Sequence, residues 1–289
     1  MGMYDGLSGG IGAFDICSAG IVFVAEDPEN KDPFYQGISD VYYVPLESFS
    51  SASTKEARKV PITQDSSPAA YSNPRFSPDG SMIAFLRRPL SRMQDNRIYL
   101  GHIDDYGALD VFKMVTGTEW DLIPESFEFT LDGHSLLLQV QDCARLGLYE
   151  LELQPHAKPK TILRSGSVSA FYPLVRSAGN KGNKLLVTWT SLVENSLYQI
   201  IDAKGREGPK VVSSASKNGS RLGLSPHQVS EIYFEGAGDY CVQAWVVKPR
   251  DFDEKKKYPL AMIIHGGPQS AWLEAWSTRV GPSSRSWAF

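Results

Sequence analysis

The strongest constraint on the fold is a segment that occurs twice. Asn73-Pro74-Arg75-Phe76-Ser77-Pro78-Asp79-Gly80-Ser81-Met82-Ile83-Ala84-Phe85 matches Ser126-Phe127-Glu128-Phe129-Thr130-Leu131-Asp132-Gly133-His134-Ser135-Leu136-Leu137-Leu138. Each reads as a short strand, an Asp-Gly turn and an apolar strand. Asp-Gly between two such runs is a strong hairpin signal, because a type I′ turn needs positive φ at both central residues. Weaker copies lie upstream, at residues 14–23, and downstream, where residues 172–175 lead through 179–183 into 185–189. A second kind of strand follows each hairpin, at residues 40–46, 96–103, 148–153 and 196–202. The tyrosines of these strands, Tyr43, Tyr99, Tyr149 and Tyr198, are spaced by 56, 50 and 49 residues.

A period of that size filled with short strands predicts propeller blades, four-stranded units that bury their faces against their neighbours. An antiparallel sandwich with coincidental Asp-Gly turns is the competing reading. Two strand types recurring in the same order favour the propeller. The expectation is a mainly β chain, with a disordered N-terminus over 1–11 and a partial WD40/TolB-like β-propeller of about four blades over 12–225. The first strands of an α/β-hydrolase domain are expected over 226–279, and an aberrant tail over 280–289.

The change of domain rests on a change of pattern. Residues 229–235 and 241–249 read as two strands around Gly236-Ala237-Gly238-Asp239. A polar loop, 250–257, then leads into Tyr258-Pro259-Leu260-Ala261-Met262-Ile263-Ile264, which is apolar throughout rather than alternating, as in a strand covered on both faces. It runs into His265-Gly266-Gly267-Pro268. A strand ending in His-Gly-Gly is the oxyanion loop of α/β-hydrolases. Acyl transfer puts negative charge on a former carbonyl oxygen, and backbone N–H groups must already point at it.

No catalytic triad can be assembled beside that loop. The one Gly-x-Ser-x-Gly, Gly6-Leu7-Ser8-Gly9-Gly10, has no strand before it and a propeller repeat after it, so it reads as a decoy. Ser225-Pro226-His227 reads as a domain junction. His102, His134 and His156 read as surface residues, and His265 as part of the oxyanion loop rather than a general base. Cys17, Cys143 and Cys241 are far apart and show neither metal-ligand spacing nor a disulfide framework. Cys241 reads as a small buried apolar residue. No cofactor or metal is expected.

With 29 Lys and Arg against 33 Asp and Glu, the net charge of −4 argues against nucleic acid as a partner. No stretch approaches the ~20 apolar residues of a membrane span. Residues 1–6 lack a basic n-region and an apolar h-region, so a cytosolic product is expected if Met1 is the genuine start.

Several segments together carry a resemblance. They are Phe14-Asp15-Ile16, Asp40-Val41-Tyr42-Tyr43-Val44-Pro45, Val242-Gln243-Ala244-Trp245-Val246-Val247-Lys248-Pro249, His265-Gly266-Gly267-Pro268-Gln269 and Trp276-Ser277-Thr278-Arg279. Over residues 12–279 the chain resembles the fungal dipeptidyl-peptidase V family, a branch of the prolyl oligopeptidase serine peptidases. The resemblance implies an N-terminal propeller, a C-terminal α/β-hydrolase domain, secretion, and release of dipeptides from peptide N-termini by a Ser, Asp and His triad. The chain is then expected to stop before its catalytic serine and to be inactive as it stands. The alternative is a non-catalytic propeller module that binds peptides or proteins.

Overall fold

The computed structural model describes residues 13–26, 38–46, 57–61, 67–92, 95–103, 109–113, 121–154, 156–175, 182–266 and 271–277. The chain divides into two compact units, residues 1–139 with 149–160 and residues 140–148 with 161–289.

The repeats form four antiparallel four-stranded meanders. The first sheet runs β1 (Phe14–Cys17), β2 (Gly20–Glu26), β3 (Ser39–Pro45) and β4 (Arg58–Lys59). The second runs β5 (Ala69–Phe76), β6 (Met82–Pro89), β7 (Arg97–Ile103) and β8 (Leu109–Lys113). The third is β9 (Pro124–Phe129), β10 (Ser135–Asp142), β11 (Arg145–Glu152) and β12 (Lys160–Leu163). The fourth is β13 (Ser167–Pro173), β14 (Lys184–Thr190), β15 (Leu197–Asp202) and β16 (Lys210–Ser214). Each Asp-Gly segment lies within one sheet, and all four tyrosines fall on the third strand of theirs. This is the propeller-like β architecture expected from the repeat.

In the first unit, alternation along the strands decides what is buried. Val22 and Val24 of β2 and Val41 and Tyr43 of β3 turn one face of the first sheet to Phe76, Ile83, Phe85 and Tyr99 of the second, forming one core. Asp15 on the same face accepts a 2.8 Å hydrogen bond from the Phe76 N–H, and the Tyr43 hydroxyl donates to Ala19 O at 2.9 Å. Phe85 is wholly buried between Tyr71, edge-on at 5.8 Å, and Tyr99, stacked at 5.9 Å. Arg75 of β5 meets Glu128 of β9 at 2.8 Å.

The Asp-Gly turns differ from the expected type I′. Only the glycines have positive φ, Gly80 at 75° and Gly133 at 72°. Gly80 N–H donates to Ser77 O, and Gly133 N–H to Thr130 O, both at 2.9 Å, so each is a type I turn followed by a left-handed glycine. The aspartates close these turns. Asp79 Oδ1 accepts from the Ser77 hydroxyl at 2.6 Å and the Ser81 N–H at 3.1 Å, while Asp132 Oδ1 accepts from Thr130 Oγ1 at 2.7 Å and the His134 N–H at 3.1 Å. These bonds favour the carboxylate, and Asp79 is pushed down to about 2.

The second unit holds the fourth sheet and, after it, the hairpin of β17 (Val229–Glu235) and β18 (Cys241–Val247). Two expectations are corrected here. Residues 259–266 form no strand, and Leu260, Met262 and Ile264 are 86, 73 and 81% exposed. A central strand needs a ladder partner and a covering layer, and the described residues supply neither. Cys241 is exposed for the same reason, since the hairpin carries no layer over that face. Tyr198 is 43% exposed while the adjacent Gln199 is buried. His102, His134 and His156 are exposed, as expected. Among the described residues no helix is long and apolar enough to cross a membrane.

The difference between a buried and an exposed aromatic is measurable. Phe85→Ala is expected to cost about 3–5 kcal/mol of unfolding free energy, the range for truncating a buried aromatic. Tyr198→Ala is expected to cost under about 1 kcal/mol, as at an ordinary surface position. Urea unfolding of the two variants against the parent chain checks both values.

Candidate functional site

The segment singled out by sequence is open. His265 and Gly266 are exposed and lie in no regular element, with His265 Nδ1 at 2.9 Å from Gly266 O. Gly267 and Pro268 lie outside the described residues, as does the Gly6–Gly10 motif. Ser225 and His227 are not a catalytic pair. Ser225 caps the short 3-10 turn Pro226–Gln228, its hydroxyl accepting from the His227 backbone N–H while the Gln228 side chain reaches back to the Ser225 N–H. Among the described residues no group of three or more His, Cys, Asp or Glu side chains could hold a metal ion.

The densest polar constellation of the second unit was not singled out by the sequence. It begins at the two-residue turn between β10 and β11, where Cys143 and Ala144 have φ of 46° and 54°. This is the type I′ geometry, adopted by two residues that pay a steric cost for it. The turn is held from two directions. The Gln243 side-chain amide of β18 donates to Cys143 O at 2.9 Å, and the Glu274 N–H donates to Ala144 O at 2.7 Å.

Arg145 follows directly and is the hub. Its Nε donates to Glu274 Oε2 at 2.6 Å and its Nη2 to Glu231 Oε2 at 2.9 Å. The guanidinium lies over the Trp245 ring, 4.6 Å from its centroid. Glu231 also takes the Tyr233 hydroxyl at 2.6 Å and the Gln243 amide. Glu274 takes the Gly166 N–H at 3.2 Å. Gly166 has φ of 64°, and a Cβ there would stand 2.6 Å from Thr190 O, so only glycine presents its N–H from that place. Trp245 Nε1 donates to Trp272 O at 2.8 Å. Residues 271–277, which follow the His-Gly-Gly segment, are thereby tied to the β10–β11 turn, the fourth sheet and the β17–β18 hairpin.

The electrostatics follow from the contacts. The Arg145 hydrogen bond, reinforced by Tyr233, holds the Glu231 carboxyl below its ordinary value, and Glu231 in turn pushes the Tyr233 phenol up to about 12. Burial by itself would lower Arg145, but its two carboxylate partners outweigh it and the net shift is upward. A second buried charge, Glu194, has a structural explanation. It accepts from the Ser214 hydroxyl and the Asn218 N–H, both at 2.6 Å, and so fastens the β14–β15 loop to the chain after β16. Burial raises its carboxyl, and the hydrogen bonds more than offset that.

Arg145→Ala is expected to destabilise the second unit by about 2 kcal/mol. That lies below the roughly 3–5 kcal/mol for breaking a fully buried pair, because the side chains concerned are 17–23% exposed. Glu231 is a depressed carboxyl, so its stabilising contribution is present above the ordinary value of 4.5 and is lost as the pH falls below it. Thermal unfolding across acid pH should show that loss in the parent and a flatter profile in Arg145→Ala.

No family model matches the chain. It is 32% identical over 284 residues to the dipeptidyl-peptidase 5 of Trichophyton schoenleinii, a match covering 97% of this chain and 38% of that protein. The Arthroderma benhamiae dipeptidyl-peptidase 5 matches to the same extent. The chain therefore spans 38% of the length of these curated relatives. Among solved structures, Porphyromonas gingivalis dipeptidyl peptidase 4 superposes with a TM-score of 0.54 at 17% identity, covering 90% of this chain and 34% of that one. A puromycin hydrolase superposes with a TM-score of 0.51 at 17% identity, covering 69% and 30%. At that identity these two show a shared fold and nothing finer.

Proposed function

We propose, from the premise that this chain is homologous along nearly all its length to part of the dipeptidyl-peptidase 5 proteins, that it is the propeller and junction portion of a serine dipeptidyl peptidase. The observation that carries the reading is the 32% identity sustained over 97% of the chain. In this reading residues 12–225 belong to the propeller that limits access to short peptides, and residues 226–279 open an α/β-hydrolase domain. His265, Gly266, Gly267 and Pro268 form the oxyanion loop. The Gly267 N–H would meet the negative charge that develops on the scissile carbonyl oxygen, a position glycine suits because no Cβ keeps the substrate away. The nucleophile and its proton shuttle are assigned to no residue of this chain. Acyl transfer to serine needs an oxyanion hole, a base and an orienting acid, so no cofactor enters the reading. Peptide N-termini are the proposed substrates. Secretion is the proposed location, and the exposed Asn218 in Asn218-Gly219-Ser220 is where a glycan would report it.

The expected result is that the purified 289-residue chain releases no nitroaniline from dipeptidyl-nitroanilides and takes no label from a fluorophosphonate probe. Fusing it to the C-terminal remainder of the Trichophyton schoenleinii relative should give dipeptide release. Gly267→Pro, which removes the N–H, should then lower kcat by about 10²–10³, the usual loss for one oxyanion-hole donor. Labelling of Ser8 in the isolated chain, or a fusion indifferent to Gly267→Pro, contradicts the proposal.

A further inference from the structure

Residues 271–277 form no strand or helix, so no ladder fixes their place. Other residues of the second unit do so instead. Trp272 O accepts from Trp245 Nε1 at 2.8 Å, the Glu274 N–H donates to Ala144 O at 2.7 Å, and the Trp276 N–H donates to Thr190 Oγ1 at 3.4 Å. The Glu274 carboxylate accepts from Arg145 Nε at 2.6 Å and from the Gly166 N–H at 3.2 Å.

This anchorage reaches the His-Gly-Gly segment through the chain itself. Only residues 267–270 separate Gly266 from Ala271. Chain reach alone therefore keeps the Gly267 Cα within about 14 Å of the Ala271 Cα. A displacement of 271–277 is passed along that short tether. An oxyanion donor tolerates little displacement, since a misplacement of about 1 Å can cost roughly 10²-fold in rate. Arg145 supplies the positive charge that Glu274 meets. Its Nε and Nη2 are spread in one plane between Glu274 and Glu231, with the Trp245 ring against the guanidinium. A lysine ammonium offers no such fork.

We propose, on the reading of residues 265–268 as an oxyanion loop, that Arg145 is a positioning residue for peptide hydrolysis. Through Glu274 it holds residues 271–277, and with them the placement of the Gly267 N–H. In this role Arg145 touches no reacting atom. Its effect falls on kcat, because the charge that Gly267 meets develops only in the transition state.

Two measurements on Arg145→Gln test this. In the 289-residue chain, amide exchange over 271–277 should quicken about 10-fold, while β14 and β15 exchange as in the parent. In the fusion with the C-terminal remainder of the Trichophyton schoenleinii relative, kcat should fall about 10–100-fold and KM change less than about twofold. Glu274→Gln should also lower kcat, and the double variant should lose no more than Arg145→Gln, because the two residues act as a unit. Glu194→Gln is the control. It loosens the same unit, but its bonds run to Ser196, Ser214, Ser216 and Asn218, so it should keep the parental kcat. Arg145→Lys, which keeps the charge and loses the fork, repeats the test if circular dichroism shows that Arg145→Gln does not fold. An active parent fusion whose Arg145→Gln variant keeps its kcat overturns the proposal. So does unchanged exchange over 271–277, or a loss of kcat that Glu194→Gln equals. A parent fusion without activity contradicts the functional reading itself, and the proposal falls with it.

Discussion

The alternation of side chains along β2 and β3 is the constraint on which the first unit depends. Val22, Val24, Val41 and Tyr43 can meet Phe76, Ile83, Phe85 and Tyr99 only while each strand keeps its register, because a slip of one residue would send all four valine and tyrosine side chains to the opposite face. Two polar contacts pin that register, one across the interface and one within the first sheet. The Asp15 carboxylate binds the Phe76 N–H, and the Tyr43 hydroxyl binds Ala19 O in the β1–β2 turn. The aspartates of the Asp-Gly turns hold the β5–β6 and β9–β10 hairpins from their own ends.

Much of this was legible in the sequence because short-range chemistry specified it. The hairpin repeats, two of them built around Asp-Gly turns, and the tyrosine strands located three strands of every sheet. What escaped was set by neighbours distant in sequence or missing from the described residues. The type of the Asp-Gly turns depends on the Ser77 and Thr130 carbonyls that accept from the glycines, a detail the dipeptide does not carry. The type I′ geometry belongs instead to Cys143 and Ala144, which carry no turn signal and are held by Gln243 and by Glu274, about a hundred residues away or more. Residues 260–264 have the composition of a central strand. A strand also requires a ladder on its edges, and none is formed there.

The site was legible in part. The segment His265-Gly266-Gly267-Pro268, proposed as an oxyanion loop from its glycines, lies half among the described residues. Arg145, Glu231 and Glu274 were invisible because nothing in spacing links positions 86 and 129 residues apart. Trp245 stood inside a segment that carried the family resemblance, and its role as the surface under the Arg145 guanidinium emerges only in three dimensions. Together these residues make the second unit more than a fourth sheet with a trailing hairpin. A charged hub, a strained turn and a glycine N–H converge on residues 271–277, which follow the His-Gly-Gly segment.

The central claim is that order in this chain comes from inner strands paired on both edges, while the apolar run before His265 stands outside the sheets. Amide hydrogen exchange resolved along the chain tests it most directly. The account predicts the slowest exchange in the inner strands β2, β3, β6, β7, β10, β11, β14 and β15, and fast exchange over residues 260–266. Protection of 260–266 equal to that of β6 and β10 would contradict it, since that result requires a ladder and a cover the structure does not contain.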